Sequence, residues 1–255
     1  MSLHTMGDFT TNSFFSGVGG LDLGLERAGF KIVSMCEIEP CSQDILRKHW
    51  PEVDMYGDIA AIKTEELEPA NVICGGFPCQ DVSVAARRKE GLDGRRTGLF
   101  FELARIIGEV RPRYVILENV PGLVADGIDR VLGTLAGLGY DAEWEIIQAN
   151  WFGLPHVRKR VFIVAHPSSQ RRQVFGPIYS RYAEDAQLGL EREADILALH
   201  DGDTTFSLAE CLRTSDGVPI GVDEIKRRLT MCGNAVCPPV ARFVGDLIVK
   251  AEAVD

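Results

Sequence analysis

Short apolar runs alternate with stretches of helical period along the first two thirds of the chain. The runs at 11–15 (TNSFF), 31–36 (KIVSMC), 71–75 (NVICG), 113–118 (RYVILE), 142–149 (AEWEIIQA) and 160–165 (RVFIVA) predict strands. Between them, 20–28, 40–49, 98–110 and 126–138 carry the spacing of amphipathic helices, with Gly29, Pro51 and Pro112 as stop signals. A third strand region closes near Asp58 in YGDIAAI. Repeated strand–helix alternation predicts an α/β fold: a doubly wound, mostly parallel sheet covered on both faces. The pattern breaks after Ala165. Residues 166–229 are polar and irregular, with HPSSQRRQ, HDGDTT, RTSDGVP and a weak helical stretch at 184–198. Three parts are therefore expected: a main domain over 1–165, a small lobe over 166–229, and a C-terminal helix within 230–255, at about 235–253, that returns to the main domain.

Composition narrows the class. The 255 residues are 45% hydrophobic and 25% charged, ordinary values for a globular chain of this size. No apolar run approaches a membrane span. The stretch MSLHTMGDFTT lacks a basic segment followed by an apolar core, so no signal peptide is expected. Seven cysteines, an odd number, argue against a disulfide scaffold and for a reducing, cytoplasmic setting. The net charge of −10 speaks against a non-specific nucleic-acid binder. Its distribution is uneven, however. Arg87, Arg88, Lys89, Arg95 and Arg96 crowd one stretch, and Arg158, Lys159, Arg160, Arg171 and Arg172 another. These are either solvated loops or two surfaces facing one phosphate backbone.

Five motifs carry candidate chemistry. In FFSGVGGLDLGLERAG (14–29), Gly17, Gly19 and Gly20 make a turn between strand and helix, where backbone can approach a ligand. Position 22 is Asp, so the dinucleotide-binding spacing is not met. Glu37 ends the second strand, where an acid in this architecture grips ribose hydroxyls. In ICGGFPCQDVS (73–83), Cys79 follows the fourth strand beside a basic run that would lower a thiol pKa. Glu118 in ILENV ends the fifth strand, and Arg158 and Arg160 alternate onto one side of the next. CGNAVCPPVA (232–241) opens the last helix. Each has a plain structural reading too. Glycines are common in strand-to-helix turns, Glu37 and Glu118 could be solvated or bracing carboxylates, Asp58 could cap the helix near Lys63, and a lone loop cysteine is most often inert.

Taken in this order, the motifs resemble the C5-cytosine-specific DNA methyltransferase family, over 14–165 and again over 232–254. FPCQ with a downstream ENV is the most specific pairing. The resemblance implies a Rossmann-like methyltransferase sheet, and S-adenosylmethionine held by Phe15, Ser16, Gly17, Val18 and Gly20. Glu37 would hold the ribose, Ile38 would pack on the adenine, and Asp58 and Ile59 would contact the base. Pro78 would lie beside the methyl donor, with Asn234 and Ala235 closing the pocket. It implies Cys79 as nucleophile on C6 of cytosine, Glu118 as the proton donor to N3, and Arg160 with Arg158 orienting the pyrimidine. The target base must leave the duplex. Gln80, Ser83, Val84, Arg87, Arg88, Lys89, Arg95 and Arg96 would then face double-stranded DNA.

The chain departs from the family's usual pattern at His156, often Gln, and at Ser13, often Asp. The 166–229 lobe holds 8 basic and 11 acidic residues, which points to a short recognition sequence, weak affinity or a partner protein; a monomer is otherwise expected. A bacterial or phage restriction-modification setting fits this compactness. A tRNA cytosine methyltransferase is the alternative function, set second because Cys211-Leu212-Arg213-Thr214 replaces that branch's Cys-Phe-Thr. A nicotinamide-dependent oxidoreductase would leave Cys79, Glu118 and the arginines without work, and a silent DNA-binding relative would not need Cys79 and Glu118. Cys36/Cys41, Cys74/Cys79 and Cys232/Cys237 share one spacing, but scattered histidines make a metal site unexpected.

Overall fold

The computed structural model of the chain describes residues 9–78, 98–154, 157–170, 173–175 and 234–253. Among them, β1 (Thr10–Phe14), β2 (Lys31–Cys36), β3 (Asp54–Tyr56), β4 (Val72–Gly75), β5 (Tyr114–Asn119), β6 (Tyr140–Gln148) and β7 (Lys159–Pro167) form one sheet, in the order β3-β2-β1-β4-β5-β7-β6. The first five strands are mutually parallel. β7 runs antiparallel to both β5 and β6. β1 has β2 on one side and β4 on the other, so the chain's winding reverses there. The crevice outside the carboxyl ends of β1 and β4 is the place where such sheets bind ligands.

Among the described residues, six helices flank the sheet: α1 (Gly20–Arg27), α2 (Pro40–His49), α3 (Leu99–Val110), α4 (Gly122–Ala125), α5 (Ile128–Gly137) and α6 (Pro238–Glu252). The central strands β4 and β5 are buried on both faces, and successive residues go to opposite sides. Ile73, Val115, Leu117, Val161 and Ile163 pack with Phe100, Leu103 and Ile107 of α3 and Val131 and Leu135 of α5. Val72, Cys74, Tyr114, Ile116, Phe162 and Val164 pack with Leu21 and Leu25 of α1 and Val240, Val244 and Ile248 of α6. Each fully buried side chain of this size contributes about 1.5–3 kcal/mol.

The return of α6 to α1 depends on glycine. A Cβ on Gly24 would sit 2.5 Å from the Pro238 carbonyl oxygen and collide with Ala241, and one on Gly20 would collide with the Val236 carbonyl oxygen. The far end of α6 is held by Glu252, whose carboxylate accepts from the Tyr114 hydroxyl at 2.7 Å and pairs with Arg113.

Four expectations shift in the structure. β1 stops at Phe14, because Phe15 turns left-handed at φ 56°. The helix expected over 126–138 opens only at Ile128, after Gly127 at φ 140°, as α5, and the short α4 at Gly122–Ala125 precedes it. α6 opens at Pro238 rather than Ala235, because Pro fits a first helical turn, where its missing N–H leaves nothing unpaired. β7 pairs antiparallel because only residues 149–158 connect it to β6, too short for a crossover helix. Most of 166–229, including the weak helix expected at 184–198, lies outside the described residues.

Candidate active site

The turn after β1 takes an unusual backbone path. Phe15, Gly17 and Gly19 all lie in the left-handed region, at φ 56°, 57° and 82°. For Phe15 that conformation costs on the order of 1–3 kcal/mol, and such outliers gather at functional sites. Glu37, at the end of β2, braces the turn: its Oε2 accepts from the Gly17 N–H at 2.7 Å and its Oε1 from the Glu39 N–H at 2.8 Å. Behind it, the hydroxyls of Ser13 and Ser16 lie 2.9 Å apart. Asp22 is fully buried in the first turn of α1, and burial pushes its carboxyl up to about 6.

Among the described residues, the front of the turn is open. A Cβ on Gly17 would meet nothing within 4 Å, and Val18 beside it is half-buried. Ile38 is 64% exposed, an apolar side chain beside the Glu37 carboxylate. Asp58 is exposed and its Oδ1 accepts from the Ala60 N–H at 2.9 Å, so it caps the 3₁₀ turn Ile59–Ala61. The Ile59 side chain belongs to the core, which leaves only its backbone to face a ligand. Asn234 is exposed and Ala235 half-buried, just before the point where Val236 meets Gly20. A nucleoside with hydroxyls and a flat base fits such a recess: open backbone, a carboxylate at its side and an exposed aliphatic platform.

Glu118 of β5, Arg160 of β7 and Arg158 just before β7 form the second half of the site. Glu118 is 7% exposed, and its Oε1 lies 2.8 Å from the Nε of Arg160. The N–H is not aimed along that line, so the contact is an ion pair and Oε1 lacks an aligned donor. Burial pushes the Glu118 carboxyl up to about 7 against the opposing pull of Arg160 and Arg158. A carboxyl so poised holds its proton near neutrality and can still give it up. Arg158 turns elsewhere: its Nη2 donates to the Ala235 carbonyl at 2.7 Å.

The two glycines of GGFPC have separate jobs. A Cβ on Gly75 would lie 2.6 Å from the Phe14 carbonyl oxygen, and one on Gly76 would lie 2.9 Å from Oε2 of Glu118. Their absence lets β4 approach β1 and leaves room for the carboxyl. The next two residues part company, Phe77 into the core and Pro78 outward. Asn119 holds this segment: its Nδ2 donates to the Phe77 carbonyl at 2.8 Å while its Oδ1 accepts from the Val120 N–H at 2.8 Å. Sequence reasoning named ENV but assigned Asn119 no task; a buried Asn closing an apolar strand was the available signal. Cys79, Gln80, Ser83, Val84, Arg87, Arg88, Lys89, Arg95, Arg96 and His156 lie outside the described residues.

The glycine turn, Glu37, Pro78, Glu118 and Arg160 thus gather at the carboxyl edge of the parallel strands. A family model, C-5 cytosine-specific DNA methylase, matches residues 9–210. The chain belongs to that family. Among relatives of this chain, the Type II methyltransferase M2.BsuMI of Bacillus subtilis (strain 168) is 37% identical over 161 residues, 60% of this chain and 41% of that protein. M.MspI of Moraxella sp. is 31% identical over 230 residues, 85% of this chain and 52% of that protein. A crystal structure described as a DNA modification methyltransferase encoded within a prophage (E. coli) matches with a TM-score of 0.54 at 27% identity, over 65% of this chain and 49% of that one. The chain therefore spans about half, or less, of the length of the curated relatives it matches. Among its described residues, no helix is long and apolar enough to cross a membrane, and no group of three His, Cys, Asp or Glu could hold a metal ion.

Proposed function

We propose that the chain transfers a methyl group from S-adenosylmethionine to C5 of cytosine in double-stranded DNA, by covalent catalysis through Cys79 on an extruded base. The observation that carries this reading is Glu118: a buried carboxyl raised to about 7, ion-paired with Arg160, at the same sheet edge as an open glycine turn. Phe15 to Gly20, Glu37, Ile38, Asp58, Ile59, Pro78, Asn234 and Ala235 are the residues assigned to the methyl donor. When bound, the donor supplies an electrophilic methyl group.

C5 of cytosine is a weak nucleophile, and the protein's residues change that. The Cys79 thiolate adds to C6, forming an S–C bond, while the Glu118 carboxyl passes its proton to N3. The electron pair displaced from the 5,6 double bond is then held as an enamine, reactive at C5. Arg160 orients the ring and offsets charge at O2. Once C5 carries the methyl group, a base or water takes the C5 proton, which re-forms the double bond and expels the Cys79 thiolate, and the N3 proton returns to Glu118. Thiolate attack needs access to a face of the ring that stacking covers, so the base must leave the helix. Arg87, Arg88, Lys89, Arg95 and Arg96 are assigned to the phosphate backbone.

Bisulfite sequencing of DNA from cells expressing the chain tests the reading. Protected cytosines in a common sequence context are expected, and none with Cys79→Ser. Marks that persist in the Cys79→Ser strain would remove the nucleophile from this account.

A further inference from the structure

Arg160, at the start of β7, and Arg158, just before it, do not share a task. Arg160 pairs with Glu118, whereas Arg158 reaches away to the backbone of residue 235, 77 positions later in the chain. The segment that Arg158 holds touches the other half of the site as well. Val236 packs its carbonyl where a Cβ on Gly20 would be, so residues 235–236 bridge the catalytic strand and the glycine turn. Arg158, Arg160, Phe162, Val236, Cys237 and Val240 line a small cavity beneath that bridge. The segment leads straight into Pro238 and Pro239, neither of which can donate a backbone hydrogen bond. A charge-assisted bond from Arg158 to the Ala235 carbonyl is thus well placed to set where the segment lies.

We propose that Arg158 is a positioning residue: it clamps residues 234–237 against the glycine turn, so that methyl-donor binding depends on a guanidinium at the entrance to β7. The inference rests on the proposed use of S-adenosylmethionine and adds a link between donor site and base site. It separates Arg158 from Arg160, which the resemblance had paired in orienting the pyrimidine. It also predicts that loss of Arg158 is felt before any DNA is present.

Calorimetric binding of S-adenosylmethionine without DNA tests this on the whole chain. Arg158→Met keeps the apolar stem and removes the donor. It is expected to bind the methyl donor about tenfold more weakly or worse, the scale of a lost hydrogen bond to a charged group. Arg158→Lys should recover much of that loss, and Glu118→Gln should bind as wild type does. Amide exchange at Val236 and Cys237 gives a second readout: donor should slow it in wild type, and Arg158→Met should speed it in the free protein. Should Arg158→Met fail to fold, the wild-type exchange experiment decides alone. Wild-type affinity in a folded Arg158→Met, or no donor-dependent protection at 236 and 237, overturns the clamp. A wild-type chain that binds no S-adenosylmethionine at all overturns the proposed function and the clamp with it.

Discussion

Replacing Glu118 by Gln removes one ionisation while keeping the size of the protonated side chain. In the folded chain this carboxyl titrates at about 7 rather than at 4.5, chiefly because burial disfavours its charge. Below the ordinary value it is protonated whether the chain is folded or not, and its contribution to stability is complete. Between about 4.5 and about 7 the unfolded chain gives up the proton and the folded chain keeps it, so stability falls as pH rises. Above about 7 both states are ionised and the loss is constant. The displacement corresponds to about 3 kcal/mol at 1.36 kcal/mol per unit. Urea unfolding of wild type and Glu118→Gln across this range measures it. The stability of the variant relative to wild type should climb by about 3 kcal/mol between pH ~4.5 and ~7.5 and then level off. A relative stability independent of pH would mean that Glu118 is not held protonated by its surroundings, and the proton-donor role would lose its physical basis. The same titration predicts that turnover declines as pH rises through about 7.

Other outcomes are equally concrete. Gly24→Ala should destabilise the chain by about 1–2 kcal/mol, because the collision with Pro238 and Ala241 outweighs the ~1 kcal/mol of helix propensity gained; a raised urea midpoint would refute the close α1–α6 contact. Ile38→Ala should leave stability within about 0.5 kcal/mol, since the side chain is already exposed, yet raise the KM for S-adenosylmethionine. An unchanged KM would remove Ile38 from the donor site. Asn119→Ala should cost about 1–3 kcal/mol in unfolding free energy and lower kcat, because it frees the Phe77 carbonyl and the segment leading to Cys79. Full kcat in that variant would show that the segment is positioned by other contacts.

Much of this was legible in the chain because it is local. Apolar runs and turn residues located six of the seven strands, with the third left as a region before Asp58. The order of the glycine turn, Glu37, Glu118 and the arginines located the site edge. What escaped depends on neighbours distant in sequence. Alternation in RVFIVA does not reveal strand direction, which the short link from β6 decides. Arg158 and Arg160 look equivalent until Ala235 and Glu118 divide them. Asp58 was left between ligand contact and cap; the Ala60 N–H occupies one of its oxygens. Asp22 had registered only as a break in glycine spacing, while in the fold it is a buried carboxyl beneath the donor turn. Phe15 showed no sign of left-handed backbone, because the constraint comes from what packs around it.

The central claim is a transient bond between the sulfur of residue 79 and C6 of cytosine. Duplex DNA carrying 5-fluorocytosine, incubated with the chain and S-adenosylmethionine, tests it most directly, because fluorine at C5 cannot leave as a proton does. A denaturation-resistant protein–DNA adduct is expected, with its peptide map placing the link at Cys79. A donor-binding, methylating chain that forms no such adduct, or one linked through another residue, would contradict it.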